Sequence, residues 1–397
     1  MIKNTKIRIA VFILELFCLG ILMGGLFIYG KASVTLEKIS QPEFHEEEIT
    51  VNSQAPKMKG FTTYALFGTD HRNLNEEMEG ENSDTIIIAC VNNSTKEVRL
   101  TSLYRDTLLD IGGNYQKANA AFAIGGAEQA ISMLNTNLDL NIHDYVSVDF
   151  SAVTKLVDCF DGLDIPMSYA EIVHMNNYCV ETSEETGADY EPVELPENPP
   201  ADQEEIIGTY HLNGVQVTSY CRIRYTSSLD MGRTERQRFV IGLLVDKAKA
   251  AGLTRLFDIM DEVFPLVETS LSKTEILQLI PMMIGYNLAG TSGFPEEYDF
   301  AELSDMGSVV VPQTLTTNVS SLHQFLFSEK EYTPTEDVDE KSWMIQDVVE
   351  RKAVSDTTPS QTAAPAEYNN DDFGFQDTAN LDFDGYETDF TDYMEDD

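Results

Sequence analysis

The chain has 397 residues, room for one large domain or two ordinary ones with tails. A formal net charge of -41, from 67 acidic against 26 basic residues, excludes the basic surface that nucleic acid requires. A hydrophobic fraction of 42% excludes a chain that is disordered throughout.

Residues 9–29 are apolar apart from Glu15 and follow Lys3, Lys6 and Arg8. About 21 such residues suffice to cross the hydrocarbon core of a bilayer. The basic flank places residues 1–8 in the cytoplasm and the bulk of the chain on the extracytoplasmic face of the cell membrane. A cleaved signal peptide is the competing reading, but no Ala-x-Ala-like site stands around Gly30, Lys31 and Ala32. The expectation is therefore a single-pass, uncleaved anchor. Residues 30–59, polar and carrying Glu46, Glu47 and Glu48, read as a stalk. Cys18 lies in the span; Cys90, Cys159, Cys179 and Cys221 follow at irregular spacing with no C-x-x-C pair. That spacing leaves one or two disulfides open and shows no zinc pattern.

The folded part opens with a short strand at Tyr64–Gly68, and residues 73–83 read as an acidic loop. Thr85–Val91 and Val98–Tyr104 form a hairpin across Asn92–Lys96, and Gly112-Gly113 marks another turn. Helical spacing appears at Ala127–Leu138 and Phe150–Phe160, with strands at Tyr145–Val148 and Leu163–Met167. Tyr178–Glu205, acidic and proline-containing, reads as a loop insertion. Helices are expected at Phe239–Ala251, Leu256–Phe264, Lys273–Asn287 and Ser320–Phe327, with a last strand at Ser308–Pro312. Alternating strands and helices predict a layered α/β fold, a central mixed β-sheet flanked by helices. From Glu329 to Asp397 the pattern fades; twelve Asp or Glu and no Lys or Arg follow from Glu367, which reads as a disordered acidic tail.

One stretch stands apart. Tyr220 to Arg238 gathers Arg222, Arg224, Arg233, Arg236 and Arg238 in this acidic chain. Arginine's planar fork matches phosphate or carboxylate oxygens two at a time. Arg222 and Arg224 share a face if extended, and Arg233 and Arg236 share one if helical after Gly232. Surface pairing with the chain's own carboxylates is the plain alternative. Polar residues also cluster at strand ends, where α/β sheets bind ligands: Asp70 and Arg72, then Asp84, then Arg105 and Asp106. Two carboxylates with several arginines suit a divalent metal bridging to phosphate.

Gly68-Thr69-Asp70-His71-Arg72, Ser83-Asp84-Thr85, Tyr104-Arg105-Asp106-Thr107 and Lys117-Ala118-Asn119 with Gly125-Gly126 occur in that order. His211-Leu212-Asn213-Gly214, Tyr220-Cys221-Arg222-Ile223-Arg224 and Asp230-Met231-Gly232-Arg233-Thr234-Glu235-Arg236-Gln237 complete the series. The set resembles the LytR-CpsA-Psr family of Gram-positive cell-wall enzymes over a domain at residues 60–328. It departs in having Tyr104 where the family more often has proline, and in a long acidic loop after Tyr178.

The resemblance implies a phosphotransferase that moves a glycopolymer (teichoic acid, capsule or another wall glycan) from undecaprenyl diphosphate to a muramic-acid hydroxyl of peptidoglycan. It implies Mg2+ on Asp70 and Asp84, with Asp70, Asp84 and Arg105 catalytic. Arg72, Lys117, Arg222, Arg224, Arg233, Arg236 and Gln237 would line the diphosphate pocket. Asp84, Asp70 or Asp106 are the candidates for the base. The family buries the polyprenyl tail in an apolar tunnel, and the helices at Ala127–Leu138 and Phe150–Phe160 are candidates for its walls. Arg238 lies beyond the matched motif and is expected at the surface. A polyprenyl-diphosphate pyrophosphatase and a non-catalytic sensor of lipid-linked precursors are the rival readings.

Overall fold

Thr85–Val91 is apolar almost without a break because its strand is covered on both faces. The computed structural model describes residues 34–69 and 82–354, apart from 197, 225, 227, 228, 284, 329 and 330. Its elements begin with β1 (Phe61–Thr69), β2 (Ser83–Asn92), β3 (Glu97–Leu103), β4 (Leu108–Ile111), β5 (Asn114–Lys117) and α1 (Ala120–Leu138). Next come β6 (Asp144–Val148), α2 (Phe150–Cys159), β7 (Leu163–Ser168), α3 (Tyr169–Thr186), β8 (Ile206–Leu212) and α4 (Gly214–Tyr220). The last are α5 (Leu229–Val263), β9 (Val267–Thr269), α6 (Lys273–Met283), β10 (Asn287–Phe294), β11 (Tyr298–Leu303), β12 (Gly307–Pro312), α7 (Leu315–Phe327) and α8 (Glu336–Lys352).

The central sheet runs β10-β3-β2-β1-β6-β9 and is mixed. β1–β2, β2–β3 and β6–β9 pair antiparallel, while β1–β6 and β3–β10 pair parallel. Side chains alternate across it. Phe67, Ile86, Ile88 and Leu103 join Ile131, Val319 and Ile345 in the main core. Ile87, Ala89 and Leu100 face the other way, against Ile241 of α5. A smaller cluster unites the antiparallel β7–β8 pair with α3 and α4. Gly112 and Gly113, at φ 62° and 94°, form the two-residue turn between β4 and β5, a conformation side chains resist and glycine accepts.

Several expectations change. The segment at 34–59 is no free stalk: Thr35, Leu36 and Ile39 are buried, Ser40 bridges to Glu268, and Lys38 meets Asp261 at 2.7 Å. The first third of the supposed loop after Tyr178 is helix. Ser168 and Glu171 make a reciprocal capping box at the start of α3, and Gly187 ends it. Ile172, Met175, Cys179 and Thr182 form its narrow buried stripe. The two helices expected after the arginines are one run, α5, kinked at Gly252. The next helix stops at Met283, so Asn287 opens β10 instead.

Past Glu329 the fold continues. α8 buries Val338, Ile345 and Val348, against the expectation of an unpatterned tail from that point. The proposed span at 9–29, residues 73–81 of the loop expected at 73–83 and the acidic end from 355 lie outside the described residues, and Ser83 already belongs to β2. Among the described residues no helix is long and apolar enough to cross a membrane, and Cys90, Cys159, Cys179 and Cys221 are free thiols.

Candidate functional site

Antiparallel pairing of β2 and β3 sets Ile86 opposite Leu103. The start of one strand thus meets the end of the other, and Asp84 comes beside Arg105. Lys117 pairs with Leu108 across the β4–β5 hairpin, which carries it to Asp106. The first turn of α5 supplies Asp230 and Arg233, and the connection before it supplies Arg224.

Distances are short. Arg105 donates from Nη1 to Asp84 Oδ1 at 2.7 Å, and Arg224 from Nη2 to Asp84 Oδ2 at 3.1 Å. Arg233 Nη2 donates to the Asp84 carbonyl at 3.0 Å and to Asp230 at 3.2 Å. Lys117 Nζ lies 3.2 Å from Asp106, whose other oxygen is 3.4 Å from Arg105 Nε. Among the described residues four cations thus surround three carboxylates, one positive charge in excess. Burial works to raise the Asp84 carboxyl, but Arg105, Arg233 and Arg224 outweigh it and hold the group below the usual range. Burial likewise pushes the Arg233 guanidinium down to about 10, so it stays charged at neutral pH. Among the described residues Arg233 Nε is buried with no hydrogen-bond partner. Such a group is costly to leave unmet unless a ligand meets it.

Of the residues named from sequence, Asp84, Arg105, Lys117, Arg224 and Arg233 converge here. Asp70 and Arg72 lie outside the described residues. Arg222 and Arg236 are committed elsewhere. Arg222 donates to Glu181 and Glu185 of α3, each at 2.9 Å, and stacks on Phe150. Arg236 donates to Glu171 at 2.8 Å, to the Ile223 carbonyl at 3.3 Å and to Thr226 at 2.9 Å. Among the described residues neither contacts the Asp84 group. Both tie the arginine segment to α3. Gln237 donates to the Cys221 carbonyl at 3.3 Å and keeps its own Oε1 buried without a partner.

Asp230, not among the candidate site residues named from sequence, helps hold Arg233. Its spacing of three from Arg233 is the signal that could have found it. Arg238, expected at the surface, is 6% exposed.

A second feature lies along α5. Between that helix and the sheet is a cavity of about 110 Å³ bounded by Val98, Leu100, Ile241, Val245 and Leu288, and it is almost wholly apolar. The helices at Ala127–Leu138 and Phe150–Phe160 do not border it. Ile131, Met133, Leu134 and Leu138 fill the main core, and Val157 the smaller one.

Comparison with known proteins agrees with this frame. A Streptococcus agalactiae protein of known crystal structure superposes with a TM-score of 0.54 at 24% identity, covering 72% of this chain and 94% of that one. Bacillus subtilis TagV does so with 0.50 at 21%, covering 70% and 100%; these likenesses concern the fold. In sequence, the Enterococcus faecalis protein named polyisoprenyl-teichoic acid–peptidoglycan teichoic acid transferase TagU is 30% identical over 280 residues, 68% of this chain and 81% of that protein. Biofilm regulatory protein A of Streptococcus mutans is also 30% identical, over 233 residues; the match covers 56% of this chain and about half of that protein, 52%. The LytR_cpsA_psr family model matches residues 26–289, a range that takes in both the charged cluster and the apolar cavity. With the order of motifs, the mixed sheet and the converging strand ends all in agreement, the chain belongs to the LytR-CpsA-Psr family.

Proposed function

We propose that this protein is a phosphotransferase that moves a cell-wall glycopolymer from an undecaprenyl-diphosphate carrier to a muramic-acid hydroxyl of peptidoglycan. One observation carries the reading: a single helix, α5, joins a cluster with excess positive charge to an apolar cavity. Arg233 and Val245 are twelve residues apart, about 18 Å along a helix. A lipid diphosphate has that polarity, with charge at one end and hydrocarbon at the other. The Enterococcus faecalis relative, named as a polyisoprenyl-teichoic acid–peptidoglycan transferase, supports the same donor and acceptor classes.

In the reaction the acceptor oxygen bonds to the phosphorus that carries the polymer. The bridging P–O bond breaks, and its electron pair leaves on the polyprenyl monophosphate. Arg105, Arg224, Arg233 and Lys117 would face the charge building on the phosphate oxygens, where preorganised donors contribute most. Asp84 is a weak candidate for the base, because a carboxylate held below its usual range accepts a proton poorly. Asp106, beside Lys117 and Arg105, is a further candidate for that role among the described residues.

Asp84 would also hold magnesium, with Asp70. A hard carboxylate beside a phosphate site fits that ion, which takes one or two carboxylates and completes its shell with water and phosphate oxygens. When bound, it would neutralise diphosphate charge. Residues 9–29 would tether the domain to the outer face of the membrane, beside such a lipid.

The test is product analysis with purified full-length protein, lipid-linked polymer and peptidoglycan. Phosphodiester-linked polymer on the glycan supports the proposal. Free polymer at the same rate with and without peptidoglycan would make the protein a pyrophosphatase instead.

A further inference from the structure

The β11–β12 pair has one covered face and one open face. Ala301 and Leu303 of β11, with Val309 and Val311 of β12, pack into the main core. Strand alternation puts Tyr298, Phe300 and Glu302 on the opposite face, where Phe300 is 58% exposed and Glu302 is exposed as well. Two further rings hold Phe300 in place. Tyr298 meets it edge to face at a centroid distance of 5.6 Å, and Tyr104 meets Tyr298 in the same way at 5.7 Å, a geometry that aromatic pairs favour. Tyr104 itself is buried, and it lies so close over Gly293 that any Cβ there would collide with its ring. The three rings thus form a row that is fixed at its inner end and open at its outer end.

The row starts beside the charged cluster. Tyr104 directly precedes Arg105, and β12 is fastened to the same segment, since the Val310 N–H donates to the Asp106 carbonyl at 2.9 Å. Phe300 pairs with Val310 across the strands. The surroundings of the open end restrict what it can take. Glu296, Glu297, Asp299, Glu302 and Asp305 are all exposed on β11 and its flanks, and no Lys or Arg occurs between Lys273 and Lys330. That charge repels an anionic bilayer surface and a second copy of this acidic chain. A neutral sugar chain is not repelled. The C–H face of a pyranose ring packs on an aromatic ring, and its hydroxyl and amide N–H groups donate to carboxylates, which only accept. Glu302 on β11, with exposed Ser308 opposite it on β12, supplies such a polar rim next to Phe300.

We propose that Phe300, backed by Tyr298 and Tyr104 and rimmed by Glu302, is a saccharide-stacking platform that receives the acceptor glycan and leads it toward Arg105. That the sugar chain is the acceptor rests on the proposed function. The platform itself rests on the exposed ring, the row behind it and the acidic rim.

The experiment uses full-length protein in detergent micelles, and its probe is soluble peptidoglycan glycan strands freed of their stem peptides. Phe300→Ala removes an exposed ring, so it should fold as the wild type does, and it should weaken strand binding about 3- to 10-fold, the range of one aromatic contact. Phe300→Tyr, which keeps a stacking face, should restore binding. Trp343→Ala removes a ring that is 65% exposed on α8 and among the described residues contacts none of the three; it should change nothing. In the transfer assay Phe300→Ala should raise the acceptor KM by the same factor and leave the KM for the lipid-linked donor unchanged. No loss in Phe300→Ala, or an equal loss in Phe300→Tyr or Trp343→Ala, would overturn the platform. So would a wild type whose self-association, rather than its glycan binding, depends on Phe300. Phe300-dependent strand binding in a protein that transfers no polymer would uphold the platform and sink the transfer reading alone. Transfer with an acceptor KM indifferent to Phe300→Ala would do the reverse.

Discussion

Two arginines of one segment, Arg222 and Arg224, meet opposite fates. Arg222 is 13% exposed in its side chain and tied to Glu181 and Glu185, whereas Arg224 is 36% exposed and, among the described residues, reaches only Asp84 and Asp230. Arg222→Ala should therefore remove a charged donor from both glutamates and cost about 1–3 kcal/mol of stability, read by urea denaturation. Arg224→Ala should leave stability nearly unchanged and lower transfer by at least tenfold. Equal melting losses in the two variants would defeat this division. Sequence spacing alone could not have made it, because the segment is neither strand at Arg222 nor a helix that starts after Gly232. Arg233 and Arg236 do share a helix, but Asp84 and Asp230 draw one while Glu171 draws the other. Asp84 adds a pH signature. Its folded-state pKa is depressed, so the stability it contributes is present above its unfolded value of about 3.9 and is lost as pH falls below it. In Asp84→Asn that acid-limb loss should shrink, while stability at pH 7 falls by about 1–3 kcal/mol as Arg105 and Arg224 lose their charged acceptor. An unchanged acid limb in the variant would assign the effect to other carboxylates.

At the scale of elements, α3 shows how one residue serves two structures. Glu171 accepts the Ser168 backbone N–H in the capping box through Oε2, and its Oε1 accepts from Arg236 Nε. Glu171→Gln keeps a capping box, since glutamine fills that position too, but loses the charge opposite Arg236. Glu171→Ala loses both. Urea denaturation should rank them: a loss of about 1–2 kcal/mol for glutamine and about 1 kcal/mol more for alanine. Equal losses would show that the cap contributes nothing. This helix was hidden in the sequence because its buried stripe is narrow and its outer face acidic, which reads as loop when burial is unknown. β10 was hidden for another reason. Asn287–Phe294 carries Gly290 and Gly293 and pairs only on one side, with β3, so it needs no apolar run. By contrast β2, buried on both faces, was legible from its isoleucines alone. The cavity under α5 required knowing which strands lie beneath that helix, and no periodicity supplies that.

On the scale of the whole molecule, the ends of the described chain are held together at one buried carboxylate. Asp139 caps α1 in the left-handed conformation, at φ 52° and ψ 37°. Its oxygens accept from Asn52 at 2.8 Å, from the Tyr332 hydroxyl at 3.1 Å, and from the Thr335 backbone and hydroxyl at 2.8 Å each. The residue fastens the segment before β1 and the one leading into α8 to the same helix end. Those two regions were expected to be a stalk and a tail, because a polar side chain gives no hint in sequence of which distant chains it will bind. The substitution that isolates this role is Asp139→Asn, since asparagine adopts the left-handed conformation readily. It keeps the backbone and one carbonyl acceptor but replaces the other oxygen with a donor, facing the Thr335 and Tyr332 groups or Asn52. The expected loss is about 1–3 kcal/mol, and Asp139→Ala should lose about 1–2 kcal/mol more from the backbone conformation. If Asp139 fastens both regions, hydrogen exchange in Asp139→Asn should speed up at residues 46–55 and 332–345 together. Acceleration confined to one of them would mean that the two segments are anchored independently, and that α8 holds its place through Val338, Ile345 and Val348 alone.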